Sequence, residues 1–170
     1  MRCTRASMGL LLVVGVLASG SSASAADIRG TISSTLIITE DSQLVGDVIC
    51  TVTGAPCIAF GASGISLKLN GFGLTGLADP VTGCSGANAT LENGIDVNNQ
   101  RGAVIQGPGL VQRFRSQGIR VNMSTRVLVT LVTASTNCMS GIFLNGGSDH
   151  EIVNNILSRN GNVAFPCGGI

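Results

Sequence analysis

The feature that most constrains this chain is an internal repeat. A Gly-Ile pair recurs at Gly94-Ile95, Gly118-Ile119, Gly141-Ile142 and Gly169-Ile170, at intervals of 24, 23 and 28 residues. After the first three pairs the chain runs Ile95-Asp96-Val97-Asn98, Ile119-Arg120-Val121-Asn122 and Ile142-Phe143-Leu144-Asn145, each reading apolar, variable, apolar, asparagine. Alternation of period two marks a strand with one face buried, and a regular return predicts that such strands stack as coils of a solenoid. Cys57-Ile58-Ala59-Phe60 reads as an earlier copy of the same position. A helical reading requires apolar spacing near 3.6 and little glycine; this chain has no such spacing and carries 24 glycines.

Stacked coils lie ~4.8 Å apart, so side-chain amides in register can hydrogen-bond along a column. Two such ladders are expected. One joins Asn98, Asn122 and Asn145. The other joins Asn70, Gln106 and Asn154, with Thr130, all 12 or 13 residues into their coils. Gly71, Gly73, Gly76, Gly107 and Gly109 are expected at corners that call for positive φ. Residues 77–93, rich in Gly, Asn, Thr and Asp, interrupt the period and read as a protruding loop. The predicted fold is all-β: a single-stranded right-handed parallel β-helix of about five coils. Gly169-Ile170 opens another coil at the end of the chain, an uncapped edge expected of a truncated product or of a strand that pairs with another chain.

Residues 1–25 read as a secretory signal, with Arg2 and Arg5 ahead of the apolar run Gly9–Ala18 and a small-residue box at Ala23-Ser24-Ala25. That apolar run is short of the ~20 residues needed to span a bilayer, and no later run is longer. Residues 26–170 then form one domain of secreted or periplasmic destination, with no membrane span. Without the leader, eight basic side chains face nine acidic ones, so neither a basic surface for nucleic acid nor long-range steering of a charged partner is expected. Five cysteines remain. Cys50 and Cys57 close a short loop, while Cys138 and Cys167 precede their Gly-Ile pairs by three and two residues and so fall in nearly one column. Adjacent coils bring such Cα atoms near the ~5.5 Å that a disulfide prefers, predicting a Cys138–Cys167 bond. Cys84 is left as the odd thiol or as a replacement partner in the Cys50/Cys57 pair. No CxxC occurs and His150 is the only histidine, so no metal site is expected.

The segment Ile65-Ser66-Leu67-Lys68-Leu69-Asn70-Gly71-Phe72-Gly73-Leu74-Thr75-Gly76 resembles the I-T-L-D-L-N-G-H-x-I-x-G stretch of right-handed parallel β-helix proteins. The Gly-Ile coils resemble their repeats, over nearly the whole chain from about Leu36. The resemblance extends to pectate lyases, polygalacturonases, alginate epimerases and NosD-like proteins, and implies the fold rather than one activity. Lys68 stands where that stretch has Asp, and Phe72 where it has His. The Asn-Thr-Asp, Asp-Asp, His-Gly and Arg-Ile-Lys patterns of polygalacturonases are absent, as is the Asp-Pro-His of the epimerases: Asp79-Pro80 continues with Val81.

Uronate lyases need a base for the sugar C5 proton and a cation for the carboxylate. Asp96 and Arg120 share an outward column and are the first candidates, with an ion pair as the simpler reading. His150, beside Glu151, is a weaker candidate base. Calcium is conceivable only in the 77–93 loop, through Asp79 and carbonyls, and no other cofactor is implied. With no Trp or Tyr, only Phe143 offers an outward ring for a sugar. The first expectation for function is therefore a non-catalytic extracellular or cell-surface scaffold. The second is a polysaccharide-acting enzyme, a lyase, hydrolase or epimerase. Neutral outward columns favour the first; two acids with Arg or Lys on one outward face favour the second. Expected partners are a polysaccharide or cell-surface component, or another copy of the chain through an open edge.

Overall fold

A computed structural model describes residues 25–78, 83–84 and 89–161. Residues 1–24 of the leader, Asp79, Cys167 and the final Gly169-Ile170 lie outside the described residues. Within them the protein is all-β, with thirteen strands and one 3-10 turn, Ala89–Leu91.

The strands alternate between two sheets. The first holds β1 (Ala26–Ile32), β3 (Ser42–Cys50), β5 (Ser66–Lys68), β6 (Gly73–Thr75), β8 (Val104–Gln112), β10 (Leu128–Ser135), β12 (Glu151–Val153) and β13 (Ile156–Ser158). The second holds β2 (Leu36–Ile38), β4 (Ile58–Phe60), β7 (Ile95–Asn98), β9 (Ile119–Thr125) and β11 (Ile142–Ser148). Every strand pairing is parallel, and each strand lies beside the one laid down a circuit earlier: β8 pairs β5, β6 and β10, while β9 pairs β7 and β11. This arrangement is compatible with a β-helix-like fold.

The Gly-Ile repeat maps directly onto the second sheet. Leu36, Ile58, Ile95, Ile119 and Ile142 align in one inward column, and Ile38, Phe60, Val97, Val121 and Leu144 in the next. Ile58, Ile95, Ile119 and Ile142 are fully buried, and each such side chain contributes ~1.5–3 kcal/mol of burial. The first sheet answers with Leu67, Ile105 and Val129 in one column and Val48, Leu74 and Val111 in another. The core is thus a stack of aliphatic layers, which is why it forms without Trp or Tyr.

The recurrent glycines do a different job from the one their composition predicts. Gly94, Gly118 and Gly141 have no positive φ. A Cβ on Gly118 would sit 2.7 Å from both the Gly141 carbonyl oxygen and the Asn137 amide nitrogen, and one on Gly94 would press into Phe114 and the Gly118 carbonyl. They are glycine because the next circuit passes too close for a side chain. Of the expected corner glycines only Gly71 has positive φ; Gly76, Gly107 and Gly109 are again close-approach positions, facing Arg113 O, Leu131 O and Leu69 Cβ. Many left-handed corners are occupied by non-glycine residues, and four corner pairs lie one circuit apart: Met123 and Gly146, Arg126 and Asp149, Leu131 and Asn154, Thr136 and Arg159. Each pair is 23 residues apart.

Cys50 and Cys57 are bonded, with Cα atoms 6.0 Å apart. Cys138 is bonded to Cys84, at 5.7 Å, and not to Cys167. Column arithmetic counted only regular circuits, whereas the irregular stretch between β6 and β7 carries Cys84 to Cys138 across 54 residues. That stretch replaces the short connections found between β8 and β9 or between β10 and β11.

Gly118→Ala is expected to lose about 1–3 kcal/mol of unfolding free energy in a denaturant titration, the usual cost of overpacking. Gly73→Ala, whose added Cβ would have nothing nearer than 3.5 Å, is expected to change stability by less than about 0.5 kcal/mol.

Candidate functional site

The outward column of the second sheet runs Ile37, Ala59, Asp96, Arg120, Phe143. Parallel register places Asp96 beside Arg120 on successive circuits. The guanidinium meets the carboxylate as a fork, Arg120 Nε donating to Asp96 Oδ1 at 2.6 Å and Nη2 to Oδ2 at 3.0 Å. The Asp96 side chain is 9% exposed and that of Arg120 27%. The hydrogen bond to Asp96 raises the Arg120 pKa; burial opposes that shift and the Asp96 charge adds to it. An upward shift means that this stabilisation is fully present below the ordinary arginine value and is lost only as pH climbs through the raised one. Arg120 therefore brings no pH dependence to the neutral range.

The fork sets what the pair can do. Each carboxylate oxygen accepts from Arg120 and keeps only the lone pair turned away from the guanidinium, so the closed pair makes Asp96 a poorly placed base for a sugar carbon. Arg120 likewise cannot meet a substrate carboxylate with the same nitrogens while it holds Asp96. Breaking one half of a nearly buried pair leaves a charge unpaired, which is costly.

Next to the pair, Asn98, Asn122 and Asn145 come together as a ladder, with Asn122 Nδ2 donating to Asn98 Oδ1 at 2.6 Å and Asn145 Nδ2 to Asn122 Oδ1 at 2.7 Å. Asn122 also heads a glycosylation triplet with Met123 and Ser124. Its amide nitrogen is engaged in the ladder, and the buried Ser124 hydroxyl accepts from the Gln100 N–H at 3.0 Å.

Asn70, Gln106 and Asn154 are not brought together. Gln106 pairs in register with Lys68 and Thr130, and Thr130 with Val153. Asn70 and Asn154 fall past those strands, at left-handed corners with φ of 49° and 57°. The offset counted from each Gly-Ile pair drifts by a residue between circuits, and in a strand one residue changes the face. Asn70 donates instead to Gln43 Oε1 and to the Leu44 carbonyl.

His150 lies at the corner between β11 and β12, off the Asp96/Arg120 column. Its Nδ1 accepts from the Val127 N–H at 3.3 Å, and Nε2 faces the Gly146 carbonyl at 3.5 Å. The ring thus ties one circuit to the previous one.

Sequence reasoning missed two arrangements. The first is a set of corner bridges by other asparagines. Asn137 Oδ1 accepts from the Phe114 N–H at 3.1 Å while its Nδ2 donates to the Val111 carbonyl at 3.2 Å. Asn160 does the same for Asn137 N–H and Ala134 O, and Asn155 for Val132 N–H and Val129 O. In all three the donor lies 23 residues back and the carbonyl 26. The second is a partly buried ion pair, Glu92 Oε1 to Arg115 Nη1 at 3.3 Å, whose Glu92 oxygen also accepts from Gly54 N–H at 2.9 Å. It joins the Cys50–Cys57 loop to the irregular stretch, and its partners are again 23 residues apart. The repeat length was the available signal for both.

The outward columns of the first sheet are largely neutral. One runs Asp27, Gln43, Lys68, Gln106, Thr130, Val153, and another Thr31, Ile49, Thr75, Gln112, Ser135, Ser158. Among the described residues, no three His, Cys, Asp or Glu side chains are grouped to hold a metal ion, and no helix is long and apolar enough to cross a membrane. The chain matches no family model, no curated protein and no solved structure. What its fold and site define is a class of architecture: an all-β, all-parallel, disulfide-bonded stack whose polar side chains bridge successive circuits.

Asn137→Ala leaves the buried Phe114 N–H without its partner and is expected to cost about 1–3 kcal/mol. Asn145→Ala, at an exposed end of its ladder, is expected to cost under about 1 kcal/mol. Denaturant unfolding of the two variants side by side checks the ranking.

Proposed function

We propose that this chain is an exported right-handed parallel β-helix, similar in architecture to the pectate lyase-like and NosD-like proteins, that serves as a non-catalytic extracellular scaffold or interaction module. The observation that carries this reading is the closed Asp96–Arg120 fork: the best-placed acid and base on the outward face are spent on each other. The largely neutral Gln, Thr and Ser columns of the first sheet, broken only by Asp27 and Lys68, support it, because they offer shape and neutral hydrogen bonds more than charge chemistry. The two disulfides support an oxidising destination, and the leader at residues 1–25 supplies the route. The partner class is a cell-surface component or a neutral polysaccharide, bound without a cofactor.

The purified, oxidised protein is expected to release no unsaturated uronate from pectate or alginate, with or without calcium, in an ultraviolet absorbance assay. Product formation that disappears in Arg120→Ala would overturn the scaffold reading and make the Asp96/Arg120 face the site of a polysaccharide lyase.

A further inference from the structure

Where the chain passes from the first sheet to the second, successive circuits meet around one ion pair. Gly54 lies between β3 and β4, Glu92 just before β7, and Arg115 between β8 and β9. The Glu92 side chain is 7% exposed, and its Oε1 accepts both from the Gly54 N–H at 2.9 Å and from Arg115 Nη1 at 3.3 Å. The rest of the guanidinium also needs partners. Arg115 Nε is enclosed by the protein, and among the described residues it is the buried side-chain nitrogen or oxygen that no protein group hydrogen-bonds. Such an atom calls for a specific explanation, because a buried donor left unpaired is costly. Arg115 and Glu92 both line a cavity of about 10 Å³, walled also by Leu77, Phe114 and the bonded Cys50 and Cys57.

We propose that this cavity is the binding site of a single internal water molecule, which accepts from Arg115 Nε and donates to the Glu92 carboxylate. Size and charge select that occupant together. A space of about 10–15 Å³ is what one water needs, so a sulfate or a sugar does not fit. A cation would be set against the guanidinium, and a halide against the nearly buried Glu92. Water is neutral, supplies the acceptor that Nε lacks, and returns donors to the carboxylate. The site also accounts for arginine at position 115. A lysine ammonium can meet Glu92 as a point charge, but it has no second donor set back along the side chain at the level of Nε. With the water in place, Gly54, Glu92 and Arg115 form one satisfied network that joins the disulfide loop to the two circuits after it. The inference is independent of the scaffold reading, since catalysis at Asp96/Arg120 would leave this corner unchanged.

The test needs only the oxidised wild-type protein, read in two ways. In a crystal that diffracts well enough to show ordered solvent, a density peak of one oxygen is expected within hydrogen-bond distance of both Arg115 Nε and the Glu92 carboxylate. In solution, with isotope-labelled arginine, the Arg115 Nε proton is expected to give a dipolar cross-peak to water whose sign marks a long-lived contact. It is also expected to exchange at least about tenfold more slowly than the corresponding protons of the exposed Arg101 and Arg126. No peak at that place, a peak too electron-rich for oxygen, a protein atom bonded to Nε instead, or exchange at the rate of the exposed arginines would each overturn the proposal.

Discussion

Every circuit of a chain that winds between parallel sheets must satisfy the backbone polar groups at its corners, and the rest of this structure depends on how that is done. Within strands the problem solves itself, because each N–H and C=O meets the strand above or below. At a corner the chain turns out of register and both groups are left facing the interior, where an unpaired one costs about 1–3 kcal/mol. Here the next circuit supplies the missing partner from a side chain. Asn137 and Asn160 accept from the corner N–H groups of Phe114 and Asn137, Asn155 accepts from Val132 N–H where β10 breaks register, and each donates to a carbonyl of the circuit before. An asparagine amide suits this because it carries donor and acceptor on one short, rigid group.

The bridges explain other residues that look arbitrary alone. Gly118 and Gly141 have no room for a Cβ because Asn137 and Asn160 lie against them. One circuit earlier Phe114 occupies the matching position, and Gly94 and Gly76 give it space. His150 and Ser124 perform the same service with a ring nitrogen and a hydroxyl, binding Val127 N–H and Gln100 N–H. The left-handed corner residues complete the geometry. Arg113, Thr136 and Arg159 have φ between 52° and 58° and immediately precede Phe114, Asn137 and Asn160. A left-handed conformation costs a non-glycine residue of order 1 kcal/mol, and the bridge that follows offsets it.

Much of the fold was legible because the Gly-Ile strands obey two strong rules at once, period-two burial and a fixed return. Those rules placed the isoleucine columns, the Asp96/Arg120 neighbours and the Asn98, Asn122, Asn145 ladder on the regular part of the chain. They lost register wherever a circuit was irregular. Asn70 and Asn154 were misplaced because a one-residue drift at a bulge, as between Thr130 and Val132 against β8, changes which side chain faces which. Cys138 was given the wrong partner because Cys84 reaches it from outside the repeat. The corner asparagines were missed for another reason: they sit where alternation ends, and only their 23-residue offset from the groups they bind marks them. The same offset separates Glu92 from Arg115, whose pairing ties the disulfide loop to the stack.

The central claim is that side chains of one circuit hold the corner amides of the circuit before it. Amide hydrogen exchange tests it most directly, read at Phe114, Val132 and Asn137, whose N–H groups donate to the side chains of Asn137, Asn155 and Asn160. The account predicts protection equal to that of neighbouring strand amides such as Ile119 and Leu128, and its loss at Phe114 in Asn137→Ala while the strands stay protected. Exchange of these three amides at the rate of open loops in the wild-type protein would contradict it.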